Sequence, residues 1–115
     1  MPFIDWNQVA GQALGPGVRI QTPHGERLML SLVELDPGAV VPLHAHPHEQ
    51  AGMVLEGLLE LTLGDETRTL AAGESYIIPG NTMHAARASG GACRVLDVFS
   101  PVREDYARGV NQYAR

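Results

Sequence analysis

"VPLHAHPHEQAGMVLEGLLEL", residues 41–61, sets three of the chain's five histidines within five positions of one another, directly ahead of a run that reads as strand. His44 and His46 share a parity, so in an extended chain both side chains project to one face. Gln50 keeps that parity if the turn at Pro47 does not shift it, while Ala45 and Glu49 point the other way. Just downstream, Leu59, Leu61 and Leu63 alternate with Glu60 and Thr62, the period of a half-buried strand. "LGDETRTL" then closes a tight hairpin.

Outward from this stretch, turn signals recur at short, even intervals: "PGV", "PHGE", "DPGA", "LEG", "LGDE", "AAGE", "IPGN", "ASGG" and "SPV". Short elements between regular turns predict an all-β sandwich or barrel. The intervening segments agree, among them "ERLMLSLVEL" (26–35), "LLELTL" (58–63), "SYII" (75–78) and "CRVLDVF" (93–99). Only the tail, "PVREDYARGVNQYAR", lacks alternation, and a short helix is expected after Pro101. The 115 residues are enough for one domain with a real core and too few for two, so residues 1–115 are read as one domain with a barrel core over about 26–100.

A net charge of −5, with all eight basic residues scattered arginines, argues against a nucleic-acid partner, which usually meets a basic face. "MPFIDWNQVAGQ" has neither a basic nor an apolar leader region, and no stretch approaches the roughly 18 apolar residues of a membrane span. A soluble, cytoplasmic protein without a membrane partner is expected. Cys93 is the only cysteine, which excludes an intrachain disulfide and a thiolate metal cluster. It reads as a small buried apolar residue.

A further histidine, His84, follows "YIIPGNTM", where Pro79 and Gly80 break a strand before the chain re-enters the sheet. Two imidazoles from one strand and one from a distant strand can converge inside a barrel. Imidazole is the commonest ligand for ions such as Zn, Ni, Fe and Mn, and the Gln50 amide oxygen can complete the set. His48 lies off this set and reads as a supporting or solvent-facing residue. His24, in "TPHGE", reads as a surface turn residue.

"RVLDVFSPVREDY", 94–106, carries a second constellation. Val95, Asp97 and Phe99 share one face, so a carboxylate stands among apolar neighbours on a strand that should line the barrel. Burying it costs several kcal/mol unless it is paired or used. Arg103 can reach back to the cavity mouth, where it serves chemistry or forms an ion pair with Asp97 that ties the last strand to the tail.

At these residues the chain resembles the cupin superfamily. The first cupin motif, glycine, five residues, H-x-H, three or four residues, glutamate, six residues, glycine, matches Gly38, His44, His46, Gln50 and Gly57, with glutamine in the glutamate's place. The second, glycine, five residues, P-x-G, two residues, histidine, matches Gly73, Pro79 and His84, with Asn81 in place of a turn glycine. Asparagine tolerates left-handed conformations, so that exchange is benign. Ala88 stands where the motif often has asparagine, a change that touches no ligand. The resemblance implies a double-stranded β-helix, or jelly roll, with a short C-terminal tail or helix. It also implies one divalent ion (Ni, Zn, Mn or Fe) on His44, His46, Gln50 and His84. Glutamine for glutamate leaves the ion its full positive charge, which makes it a stronger Lewis acid toward an anionic, carboxylate-bearing ligand.

"HPHEQ", "VLEG" and "LDVFSPVREDY" together are similar to the pectin-degradation cupins, metal-dependent enzymes that linearise 4,5-unsaturated monouronates. The resemblance spans most of residues 38–106 and implies that Asp97, Phe99 and Arg103 line the reacting side. Three readings compete: a non-redox, isomerase-type uronate enzyme; another metal-dependent cupin enzyme, a polyketide-cyclase-like protein or a dioxygenase; and a non-catalytic sugar or small-molecule binder. Leu96 and Val98 leave strand 94–99 apolar on the face opposite Asp97. That face predicts a homodimer, with the Phe3, Ile4 and Trp6 segment covering part of it.

Overall fold

The computed structural model describes residues 3–107. A 3₁₀ turn, Trp6–Gln8, precedes ten strands: β1 (Gly11–Gly15), β2 (Val18–Gln21), β3 (Met29–Leu35), β4 (Val40–His44), β5 (Glu49–Glu56), β6 (Leu59–Leu63), β7 (Glu66–Leu70), β8 (Ser75–Ile78), β9 (His84–Ala88) and β10 (Cys93–Ser100). A single helical turn, α1 (Glu104–Ala107), follows Pro101 as expected. The strands form a six-stranded sheet, β1-β2-β3-β10-β5-β8, and a four-stranded sheet, β4-β9-β6-β7. Every pairing is antiparallel. Two such sheets make the expected jelly roll.

Alternation decides what lies between the sheets. In β10, Cys93, Val95, Asp97 and Phe99 are buried while Arg94, Leu96, Val98 and Ser100 are half-buried on the outer face. Leu59 and Leu61 bring the same alternation from the four-stranded sheet, and Gly64, at φ 60, turns the β6–β7 hairpin. The core joins them to Met29, Val33, Leu35 and Val54. Leu14, Val18 and Ile20 also belong to it, so β1 and β2, ahead of the 26–100 stretch expected to form the core, extend it upstream. Strand β3 begins at Met29 rather than Glu26, because Gly25 donates its N–H to the Leu28 carbonyl at 2.9 Å and the residues between are spent on a turn. His24 lies exposed at that turn, bridged to Met29, and Cys93 is buried.

Two backbone details place the histidine segment. Asn81 takes a left-handed conformation, φ 64, as its motif position requires, and its N–H donates to the His46 carbonyl at 2.7 Å. The β8–β9 turn is thereby tied to the loop between β4 and β5. Among the described residues, no helix is long and apolar enough to cross a membrane.

Candidate functional site

The three motif histidines arrive from the end of one strand, from the loop that follows it and from the start of a second strand. His44 ends β4 and His84 begins β9, and the two are register partners. His46 follows in the β4–β5 loop. Their ring centroids lie 4.2 Å apart for His44 and His84 and 4.8 Å apart for His46 and His84. One ring nitrogen from each falls within 4.8 Å of the other two.

Each ring is held by a backbone carbonyl. Nδ1 of His44 donates to Pro42 O at 2.7 Å, that of His46 to His48 O at 3.1 Å, and that of His84 to Thr82 O at 2.7 Å. A carbonyl accepts only, so the proton sits on Nδ1 and the lone pair on Nε2. The buried Nε2 of His84 has no hydrogen-bond partner. The Nε2 of His46 faces Gln50 Oε1 at 3.1 Å, one lone pair against another. Burial, and next the Arg103 charge, hold the His46 imidazole down at about 4, so near neutral pH it carries no second proton to bridge that contact. His44 is likewise held at about 4, chiefly by burial, and His84 is lowered for the same reason. Neutral imidazoles with carbonyl-fixed tautomers, an orphaned nitrogen and an opposed amide oxygen make a donor set that fits a divalent cation.

His48 stands outside the cluster of three: its carbonyl orients His46, its buried ring meets the His46 ring edge-on at 5.5 Å, and its Nε2 lies 3.8 Å from Glu104 Oε1. It is a supporting residue, as its position off the motif suggests.

Asp97 projects from β10 into the cavity that His44, Gln50 and His84 also line. Desolvation raises its carboxyl to about 6, against the lowering pull of hydrogen bonds from Tyr76 and Gln50 and of the Arg103 charge. The Tyr76 hydroxyl donates to Asp97 Oδ1 at 2.5 Å. Phe99, also on β10, meets the His46 ring edge-on at 5.6 Å and packs against Tyr106 at 5.7 Å.

Arg103 lines the same cavity and is 2% exposed. Among the described residues it pairs with Asp105, through Nε at 3.3 Å and Nη2 at 2.8 Å, rather than with Asp97. The guanidinium also stacks on Tyr106, 3.8 Å from the ring centroid, and lies 5.2 Å from that of Phe99. Among the described residues Asp97 has no salt bridge, and Arg103 pairs instead within its own helical turn.

The seven residues singled out from the sequence thus converge on one end of the barrel. Tyr76, Asp105 and Tyr106 complete the site and were not among them. Tyr76 reads in "SYII" as a packing residue, and only the offset of two from Arg103 hinted at Asp105.

A family model described as Cupin domain matches residues 31–99. Pectin degradation protein KdgF of Dickeya dadantii is 30% identical over 106 residues, 90% of this chain and 96% of its own. The solved structure of KdgF from a Halomonas species superposes with a TM-score of 0.85 at 35% identity, covering 92% of this chain and 98% of that one. An RmlC-like cupin from Shewanella frigidimarina gives 0.83 at 31% identity, over 92% and 96% of the two chains. With the motif histidines converged in a jelly roll and these similarities over most of its length, the chain belongs to the cupin family.

Proposed function

We propose that this protein is a metal-dependent, non-redox cupin enzyme that opens and ketonises 4,5-unsaturated monouronates from pectin or alginate breakdown. The observation that carries the reading is a buried carboxyl, Asp97, with its pKa raised to about 6, in the same cavity as the His44, Gln50 and His84 side chains and the Arg103 guanidinium. Similarity to a protein named for pectin degradation supports the substrate class.

The substrate is a cyclic hemiacetal whose ring oxygen is also an enol ether, with a carboxylate on the adjacent carbon. Breaking the hemiacetal carbon–oxygen bond while the anomeric hydroxyl loses its proton leaves an aldehyde and an enol. Moving the enol proton to carbon yields the ketone, and no atom is gained or lost. Asp97 carries the proton between these positions, and a carboxyl near 6 exchanges it readily in either direction near neutral pH. Arg103, held flat by Tyr106 and gripped by Asp105, is pre-set to dock the substrate carboxylate. Phe99 closes the apolar side beside His46 and keeps water from the reacting carbons. His44, His46, His84 and Gln50 would hold a divalent cation, which when bound would supply Lewis-acid stabilisation of negative charge on oxygen. Ni, Zn, Mn and Fe all suit three imidazoles and an amide oxygen.

The test is the ultraviolet absorbance of the conjugated double bond in a 4,5-unsaturated monouronate, followed with metal-loaded protein and corrected for spontaneous ring opening. Accelerated loss is expected. Loss no faster than in buffer would remove the reading and leave a cyclase, a dioxygenase or a binding protein.

We further infer a cytoplasmic homodimer, paired through the outer face of the six-stranded sheet. Two register rows cross that face, Leu30–Val98–Ala51–Ile77 and Leu32–Leu96–Met53. Ile77 is 66% and Met53 44% exposed, a large apolar presentation for a strand pair. The Trp6 segment is fastened to its own sheet by Gln21, whose Nε2 donates to the Trp6 and Val9 carbonyls at 2.8 and 2.9 Å. It borders this face beside Leu32 and Leu96 and leaves the Ile77 end open.

A further inference from the structure

Tyr76, Gly52 and Asp97 stand in one row across three strands. Gly52 on β5 is the register partner of Tyr76 on β8 and of Asp97 on β10. The Tyr76 side chain therefore crosses over β5 to reach Asp97, and the crossing needs an empty position in the middle strand. A Cβ on residue 52 would overlap the Tyr76 hydroxyl and Asp97 Oδ1 together. The backbone of Gly52 is not left-handed, so space rather than conformation demands glycine there. Strand interiors otherwise favour β-branched or aromatic residues, and a glycine weakens them.

The bond that this vacancy admits is short, 2.5 Å from the hydroxyl to Oδ1. Burial, followed by the Asp97 charge, pushes the Tyr76 hydroxyl well above its usual range, so it remains a donor throughout the working pH range. A fixed donor on Oδ1 sets the plane of the carboxyl and keeps it from rotating toward the apolar wall. Misplacing a proton carrier by an ångström costs on the order of 100-fold in rate.

We propose that Tyr76 is the positioning residue for Asp97, that Gly52 is the vacancy that lets it act, and that together they hold the carboxyl, which Gln50 also meets, in the orientation that transfers the proton to the substrate. The inference rests on the proposed role of Asp97 as proton carrier in the uronate reaction. Tyr76 touches neither the substrate nor the ion and acts only through Asp97.

Tyr76→Phe keeps the ring and removes the donor. Its kcat should fall about 10- to 100-fold while KM stays within about twofold. Metal content should match the wild type, and the thermal midpoint should fall only modestly with the lost hydrogen bond. In an Asp97→Asn background the same change should cost less than about twofold, because a residue that works through Asp97 has nothing left to position. Gly52→Ala should lose kcat as well, and if it fails to fold, the Tyr76 and Asp97 cycle decides alone. A Tyr76→Phe protein with wild-type kcat, or an equal loss in both backgrounds, would overturn the inference while leaving the uronate reading intact. A metal-loaded wild type without uronate activity would overturn both.

Discussion

Arg103 grips Asp105 along two of its nitrogens, at 3.3 and 2.8 Å, while Asp97, on the strand facing the same cavity, is tied instead to the Tyr76 hydroxyl at 2.5 Å. The two acids thus have separate tasks. One holds the cation in place, and the other is left with a raised pKa and a proton to exchange.

Asp105→Asn should therefore act on folding first. Arg103 is 2% exposed, and weakening one of the partners of a guanidinium buried that deeply is destabilising, by about 1–3 kcal/mol. Stacking on Tyr106 offsets a small part of this. Chemical denaturation should show the loss, and a midpoint equal to the wild type would mean that the pair contributes nothing to stability. Arg103→Ala should also raise KM for the uronate, which Asp105→Asn, with the guanidinium still present, should do to a lesser degree.

Asp97→Asn separates chemistry from stability in opposite directions. Turnover should fall by roughly 10²- to 10⁴-fold, the usual loss of a general acid–base catalyst. For stability the sign follows from where protons bind. The folded carboxyl titrates near 6 and the unfolded one near 3.8, so between these values the folded state holds more protons, and stability falls as pH rises through that interval. Above it the cost of the buried charge is complete, and the neutral amide removes it. Thermal melts of metal-free protein should place Asp97→Asn above the wild type at neutral pH, with the gap closing below the ordinary carboxyl value. A variant less stable at neutral pH would mean that the partners of the carboxylate outweigh its desolvation.

Much of this site was legible before any coordinates. Period-two alternation in "CRVLDVFS" turns Asp97 and Phe99 inward, and His44 and His46 both reach the histidine cluster. Lateral order is another matter. That β8 lies beside β5 and β5 beside β10 is a product of the jelly-roll crossovers, and without that order nothing connects Tyr76 to an acid 21 positions away. The partner of Arg103 is not legible for a related reason. Strand proximity favoured Asp97, but the chain turns into a helical turn at Glu104, and that brings Asp105 back under the guanidinium.

Purified protein should carry close to one divalent ion per chain, and His84→Ala should abolish it, since the orphaned Nε2 of His84 is the third imidazole donor. Elemental analysis after preparation without chelator reads the stoichiometry. Acid should release the ion late. With His44 and His46 held near 4, protons compete for their nitrogens only as the pH approaches that value, well below the 6.5 of an ordinary histidine. Release already complete near 6.5 would contradict the buried, carbonyl-fixed geometry.

In solution the protein should be a dimer at micromolar concentration. Ile77→Glu, placed at the open end of the apolar face and 66% exposed, should give a monomer mass by light scattering without lowering the thermal midpoint by much. A wild-type monomer would show that the apolar rows serve some other purpose.

The last prediction returns to why residue 50 is glutamine. Its amide presents oxygen to the histidine cluster, 3.1 Å from His46 Nε2, and hydrogen-bonds on its other side to Asp97. Glutamate in that position offers no donor to Asp97. Gln50→Glu would set a second carboxylate against the first, and like charges in a buried site push one pKa upward, so Asp97 would hold its proton to higher pH. The added negative charge should tighten cation binding and, by neutralising part of the ion's charge, weaken its action on an anionic substrate. The variant should therefore bind metal at least as strongly as the wild type and turn over the uronate at least about tenfold more slowly, with its pH–rate profile displaced toward alkaline values. Metal titration and a pH series of kcat test both halves. A Gln50→Glu enzyme as fast as the wild type, with an unmoved profile, would show that the amide is interchangeable with a carboxylate and that neither its neutrality nor its donor matters.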